Sequence, residues 1–375
     1  MSDGTSPPQL PLKGIRVVDL TSNIAGPFAG AVLADLGAHV VHVESRAGDD
    51  SRRMSPRIGD TSAYWEVVNR NKHVIRLDIR DPADRESLSD MLGQADVFLT
   101  NLRPGKLRKN LLDANTLTER YPRLVHGSLS AYGDAGEERD RAGYDAVLQA
   151  RTGIAEVTGT QDGPPVRAGV SVLDVGAGTW LALGVIAALL RREHTGRGGA
   201  IATSLFETGG NWVAYHVAAH QVSGAPSNRH GSGHPAFSPY GIFRTRDGQV
   251  CLGIGGDDLF GRLCVALDVP DLAEDTRYAR NIDRVADSAS LRHLLEQILA
   301  NIPSAEVVQR LAAHGVACDV VQRPEDLLTD AQAEATELLI TTDIDGFGPL
   351  RFPGIPLTFN GVRPQVRPLA DRGGG

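Results

Sequence analysis

Between residues 15 and 130, short apolar, β-branched runs alternate with stretches whose apolar residues recur at helical spacing. IRVVDL (15–20), HVVHVE (39–44), VIRLDI (74–79), ADVFLT (95–100) and LVHGSLS (124–130) read as strands. Pro27–Leu36, Ala83–Gln94 and a segment near Ala114–Tyr121 read as helices. Pro27 suits a first helical turn, and Gly37 ends that helix. Strand and helix in alternation predict parallel strands joined by right-handed crossovers, in an open α/β sheet covered on both faces.

The pattern changes near residue 225. GAPSNRHGSGHPAFSP (224–239) is a linker or loop by its Gly, Pro and Ser content, and GIFRTRDGQVCLGIG reads as a hairpin turning at Asp247-Gly248. Helices follow near Asp257–Leu267, Ser290–Ala300 and Ala305–His314. The expected organisation is a large domain over 1–224, completed by 335–375, and a smaller α+β domain with its linkers over 225–334. A chain of 375 residues is long enough for two cores.

Composition removes several classes. A net charge of −8 argues against a nucleic-acid partner. The three cysteines, Cys251, Cys264 and Cys318, are odd in number and form no C-x-x-C pair, so neither a disulfide framework nor a zinc ribbon is expected. The start, MSDGTSPPQLPLKG, is unlike a signal peptide, and the longest apolar stretch, around Trp180–Leu190, reads as too short to span a bilayer. The expectation is a cytoplasmic protein with no membrane partner.

The opening strand–helix–strand invites a dinucleotide site, but SNIAGPFAG holds no G-x-G-x-x-G, and Pro27 stands where a backbone would approach a pyrophosphate. His216 and His220, four apart, have no third ligand in view, and His230 and His234 sit among glycines, so no metal site is expected. No G-x-S-x-G occurs. That leaves SVLDVGAGTWLALGVIAALLRRE (171–193), where Asp174 precedes a long apolar helix. An N-cap is the ordinary role for an Asp there. The positive end of the helix would also keep a carboxylate ionised as a nucleophile, with Gly176 and Gly178 leaving room for a bulky ligand. Spacing alone leaves both readings open.

LKGIRVVDLT…AGP, LADLGAHVVHVE, NRNKHVIRLDIR, ADVFLTNLRPG, GYDAVLQARTG, DGPPVRAGVSVLDVGAG and ALLRREHTGRG, then PYGIFRTRDG and GVACDVV, occur in one order from about residue 12 to 365. Together they resemble the class III CoA-transferases, the family of formyl-CoA and carnitine CoA-transferases and of α-methylacyl-CoA racemase. The resemblance implies a Rossmann-like large domain built from both chain ends, a small domain and an interlocked homodimer. It makes Asp174 the catalytic residue, acylated as a mixed anhydride while CoA passes from an acyl-CoA to a carboxylic acid. Coenzyme A would be a substrate, with no permanently bound cofactor and no metal. Carried over by motif, the CoA contacts are Ile24, Ala25, Leu77, Arg80, Asn101, Leu102, Arg103, Lys109 and Tyr144, with Arg46 one place beyond a basic position of the formyl-CoA enzyme. Backbone donors for the tetrahedral oxygen would come from the glycines near Asp174 or from HGSGHP.

Two other readings stand beside transfer: a 2-methylacyl-CoA racemase and a non-catalytic acyl-CoA-binding paralogue. In the racemases the GYD position reads Gly-His-Asp; here it offers Tyr144, a poor base near neutrality with its ordinary pKa of ~10. Ile24 replaces a Gln and HGSGHP a run of four glycines in the formyl-CoA enzyme, so formate and oxalate are not the expected acids. The chain stops at RPLADRGGG, where relatives continue into a closing helix.

Overall fold

The computed structural model describes residues 10–344 and 346–365; the RPLADRGGG tail lies outside them. The chain divides into two compact units. Of the described residues, the larger takes those up to Ile154, Ala168–Ala218 and those from Leu328; the smaller takes Ala155–Arg167 and Ala219–Leu327. The segment 155–167, expected in the large domain, thus belongs with the smaller unit. Arg229 holds it there, its guanidinium 2.7 Å from a Glu156 carboxylate oxygen and donating to the Glu156 and Thr160 carbonyls.

The larger unit is built on six strands: β1 (Arg16–Leu20), β2 (His39–Glu44), β3 (His73–Arg76), β4 (Val97–Thr100), β5 (Val125–Ser130) and β6 (Gly199–Ser204). They lie in the order β3-β2-β1-β4-β5-β6, every neighbour parallel. This is the doubly wound arrangement, and the order reverses between β1 and β4. Alternation splits the sheet between two cores. Val17, Val97 and Leu99 face helices α1 (Ala25–Asp35) and α4 (Val172–Thr195), whereas Val18 and Phe98 face α2 (Pro82–Gln94). The Rossmann-like expectation holds.

Helix α4 runs 24 residues, so the apolar stretch is longer than its sequence suggests and would, by length and composition, cross a membrane. Half of its most apolar window is buried in this unit, against α1 and the sheet. It comes very close to α1. A Cβ on Gly178 would stand 2.5 Å from the Ala25 carbonyl oxygen and 3.0 Å from the Phe28 ring, and one on Gly176 would stand 2.6 Å from the Trp212 ring. The space beside these glycines is filled by protein, not left for a ligand, which corrects the sequence-based reading. Because backbone faces Gly178, Gly178→Ala has no flexible neighbour to displace. Urea denaturation should show a loss of about 1–3 kcal/mol, and an unchanged midpoint would mean the helix pair slides freely.

In the smaller unit, Tyr240–Arg244 and Gln249–Gly253 form the expected hairpin, and Cys318–Val320 adds an antiparallel third strand. Helices Asp257–Ala266, Ser288–Leu299 and Ser304–Ala313 pack Leu263, Leu295 and Leu311 into its core.

Candidate active site

Asp174 is not the cap of α4. Ser171 occupies that place without a side-chain bond, and Asp174 lies in the first turn. The capping is done from a distance by Asp145, the first residue of α3 (Asp145–Thr152). Its Oδ2 accepts from the backbone N–H of Leu173 at 2.7 Å and of Asp174 at 3.2 Å. Its other oxygen accepts from Gln149, whose Oε1 in turn accepts from Ala168 N at 2.8 Å. Asp145 and Gln149 are both buried. Val172 N and Val175 N are also engaged, with the Val170 and Ser171 carbonyls. The amides of residues 172–175 are therefore taken and offer no donor to an oxyanion.

The Asp174 side chain itself is partly buried and makes no hydrogen bond or ion pair among the described residues. Burial, then the nearby Asp145 carboxylate, raise its pKa to about 7. The helix start does not by itself keep this carboxyl ionised, contrary to the expectation from sequence.

The expected CoA contacts follow the carboxyl ends of parallel strands and therefore share one edge of the sheet. Ile24 and Ala25 follow β1, Arg46 follows β2, Leu77 and Arg80 follow β3, and Asn101, Leu102, Arg103 and Lys109 follow β4. Tyr144, before α3, is 70% exposed. Their side chains are not equally available. Asn101 staples the two loops at the order reversal, accepting from Ser22 N at 3.1 Å and donating to the Ser22 carbonyl at 2.8 Å. Leu77 and Leu102 pack against the core on the α2 side of the sheet. Arg46 pairs with Asp84 at 2.9 Å and Arg80 with Asp78 at 2.8 Å. Both pairs are exposed on the arginine side and weak enough to exchange partners. Arg103 and Lys109 are exposed and have no ion pair among the described residues.

The β1–α1 loop explains why a dinucleotide fingerprint is missing. Three successive loop N–H groups are already bonded: Thr21 N to Asp19 at 3.2 Å, Ser22 N to Asn101, and Asn23 N to Asp49 at 3.2 Å. These three amides are not free for a pyrophosphate, whereas the start of α1 at Ile24 carries no side-chain cap. Gly26 is needed because a Cβ there would lie 2.5 Å from the Thr21 Cβ.

Sequence reasoning missed Asp145, Asp49 and Asp19. Each lies near the start of a helix or the end of a strand, where an Asp is unremarkable, and its partner lies elsewhere in the chain. Among the described residues no group of three or more His, Cys, Asp or Glu is placed to hold a metal.

A doubly wound α/β sheet thus carries an unbonded carboxyl at a buried helix start. The comparisons make this specific. Residues 12–371 match CoA-transferase family III. Acetyl-CoA:oxalate CoA-transferase of Acetobacter aceti is 33% identical over 97% of this chain and 93% of its own length. Succinyl-CoA:glutarate CoA-transferase of Mus musculus is 33% identical over 92% of this chain and 79% of its own. The crystal structure of a CAIB/BAIF family protein from Brucella suis superposes with a TM-score of 0.86, 32% identical over 98% of each chain. The chain belongs to CoA-transferase family III. Its enzyme class is that of the acyl-CoA:carboxylate CoA-transferases.

Proposed function

We propose that Asp174 is the nucleophile of a CoA transfer through an aspartyl mixed anhydride. The observation that carries this reading is the capping by Asp145. It relieves Asp174 of any structural task and leaves an unbonded carboxyl at the entrance of a buried helix.

In the first step an Asp174 oxygen attacks the thioester carbonyl, the C–S bond breaks, and CoA leaves as thiolate. The acceptor carboxylate then attacks the acyl carbonyl of the anhydride, freeing Asp174. Finally the held thiolate attacks the acceptor carbonyl, giving the new thioester and the donor acid. An ordinary carboxylate displacing a thiolate is uphill by roughly 6 kcal/mol on basicity alone (~3.9 against ~8.5). With Asp174 raised to about 7 and partly solvated, the gap narrows by about 1–2 kcal/mol. Burial beside Asp145 therefore supplies part of what the first step needs.

The shared carboxyl edge of β1–β4 supports seating CoA there, with Arg103 and Lys109 as the cations open to its phosphates. The relatives' names support a dicarboxylic acid as acceptor, oxalate included, against the expectation drawn from Ile24. Trp180, Leu183, Leu190, Trp212 and Tyr215 are 40–64% exposed on the larger unit, an apolar surface that supports a homodimer, interlocked as the resemblance implies. Free Cys251, Cys264 and Cys318 support a reducing, cytoplasmic setting. The racemase reading gains no second acid–base group from Tyr144, which is exposed and makes no hydrogen bond through its hydroxyl among the described residues.

Protein incubated with a panel of acyl-CoAs and quenched with hydroxylamine should carry a hydroxamate on the Asp174 peptide by mass spectrometry. If reactive thioesters are turned over while that peptide stays unmodified, the nucleophile lies elsewhere.

A further inference from the structure

Beneath the β1–α1 loop lies a charged cluster in which Lys72, Asp19 and His42 are all fully buried. The Lys72 ammonium donates to Asp19 Oδ2 at 2.9 Å, to the Pro27 carbonyl at 2.7 Å and to Asn69 Oδ1 at 2.8 Å. All three of its N–H bonds are thereby placed. Asp19 passes the constraint on: its Oδ1 accepts from Thr21 N and from the Thr21 hydroxyl, and its Oδ2 lies 3.1 Å from His42 Nδ1. Burial opposes charge on Asp19, but Lys72 and His42 outweigh it and hold the carboxyl well below the ordinary range. Helix α1 makes room for the pair at Gly30, where a Cβ would stand 2.5 Å from Asp19 Oδ2 and 3.0 Å from Lys72 Nζ.

The cluster lies one step from the nucleophile. Lys72 grips the first turn of α1 at Pro27, and the Ala25 carbonyl in that turn touches Gly178. Gly178 is four residues after Asp174, hence on the same face of α4, one turn along. The Ala25 end of the loop that Lys72 and Asp19 fix is thus packed on α4 one turn from Asp174.

We propose that Lys72 is a positioning residue of the transfer site, acting through Asp19 and the Pro27 carbonyl to fix the Thr21–Ala25 loop relative to Asp174. This rests on the proposed role of Asp174. A buried ion pair is a costly way to hold a loop when apolar packing would serve for stability alone. Its value here is directional: three hydrogen bonds from one ammonium define a position that apolar contact does not.

The test compares wild type with Asp19→Asn/Lys72→Met, which removes both buried charges, and with the milder, near-isosteric Thr21→Val. Folding is checked by circular dichroism and melting, and the rate of Asp174 acylation by quenched mass spectrometry at saturating acyl-CoA. The double variant should acylate at least 100-fold more slowly and Thr21→Val about tenfold, both well below their melting temperatures, with the KM for the acceptor acid changing less than threefold. A folded variant that acylates Asp174 at the wild-type rate overturns the positioning role, and Thr21→Val keeps that test open should the double variant fail to fold. Equal losses in acceptor binding and acylation would mark general loosening and also overturn it. If wild type itself forms no Asp174 adduct, it is the nucleophile assignment that fails.

Discussion

Asp174→Asn should lower the turnover of CoA transfer by at least about 10³-fold, the scale on which loss of a covalent nucleophile is felt, while CoA still binds. The wild-type profile of kcat/KM should rise with pH through about 7, where the Asp174 carboxyl ionises. Stability should carry the opposite signature. The folded-state pKa lies above the ordinary value of 3.8, so the folded protein holds this proton more tightly than the unfolded chain. The stability contributed by protonated Asp174 is present below pH 4, falls as pH rises toward 7, and is gone above it. Asp174→Asn lacks that loss, so at pH 8 it should be more stable than wild type and at pH 4 the two should converge. The full displacement would be worth ~4 kcal/mol, but the carboxyl is partly solvated and about 1–2 kcal/mol is expected. Chemical denaturation at the two pH values measures it. An Asn variant that transfers CoA at the wild-type rate, or melts identically at both pH values, removes the basis of the mechanism.

The second large effect belongs to Asp145, and two substitutions separate its two tasks. Asp145→Ala leaves the Leu173 and Asp174 amides without an acceptor at a buried helix start. That should cost about 2–3 kcal/mol of stability. Asp145→Asn keeps an acceptor oxygen for these amides but removes the charge facing Asp174 and turns an NH2 toward the Gln149 amide, so it should cost about 1–2 kcal/mol, less than Ala. It should also move the ascending limb of the pH–rate profile toward acid, since that charge is one of the two causes of the raised pKa. If Asn destabilises as much as Ala, the cap depends on the charge or on the Gln149 link; if the limb stays in place, burial alone sets the basicity of Asp174.

Much of the larger unit was legible from periodicity, because strand runs and amphipathic helices are written in neighbouring residues. Arg16–Leu20, His39–Glu44, Val97–Thr100 and Val125–Ser130 fall where the apolar runs place them. VIRLDI shows the limit. The strand covers only His73–Arg76, and Leu77 onward turns into the loop, although the apolar alternation continues. The candidate site divides the same way. Asp174 was singled out by its motif, and its surroundings were misjudged. An Asp at a helix entrance reads as its own helix's cap, and nothing local reveals that Asp145, 29 residues before Asp174, reaches across to take the Leu173 and Asp174 amides. The glycines after Asp174 read as open space because sequence does not show what packs against them.

The sequence alone determined the alternation of strands and helices, the parallel α/β class and, through its ordered motifs, the family and the carboxyl proposed as nucleophile. These are properties of spacing within a few residues or of motif order along the chain, and they survive without coordinates. Only the tertiary structure decided which acid caps and which is left unbonded, that Gly178 is a contact and not a vacancy, and that the β1–α1 loop is held by Asp19, Asp49 and Asn101. Hydrogen bonds and desolvation act over about 3 Å in space. The partners they join are separated by tens of residues, and folding alone brings them within that reach.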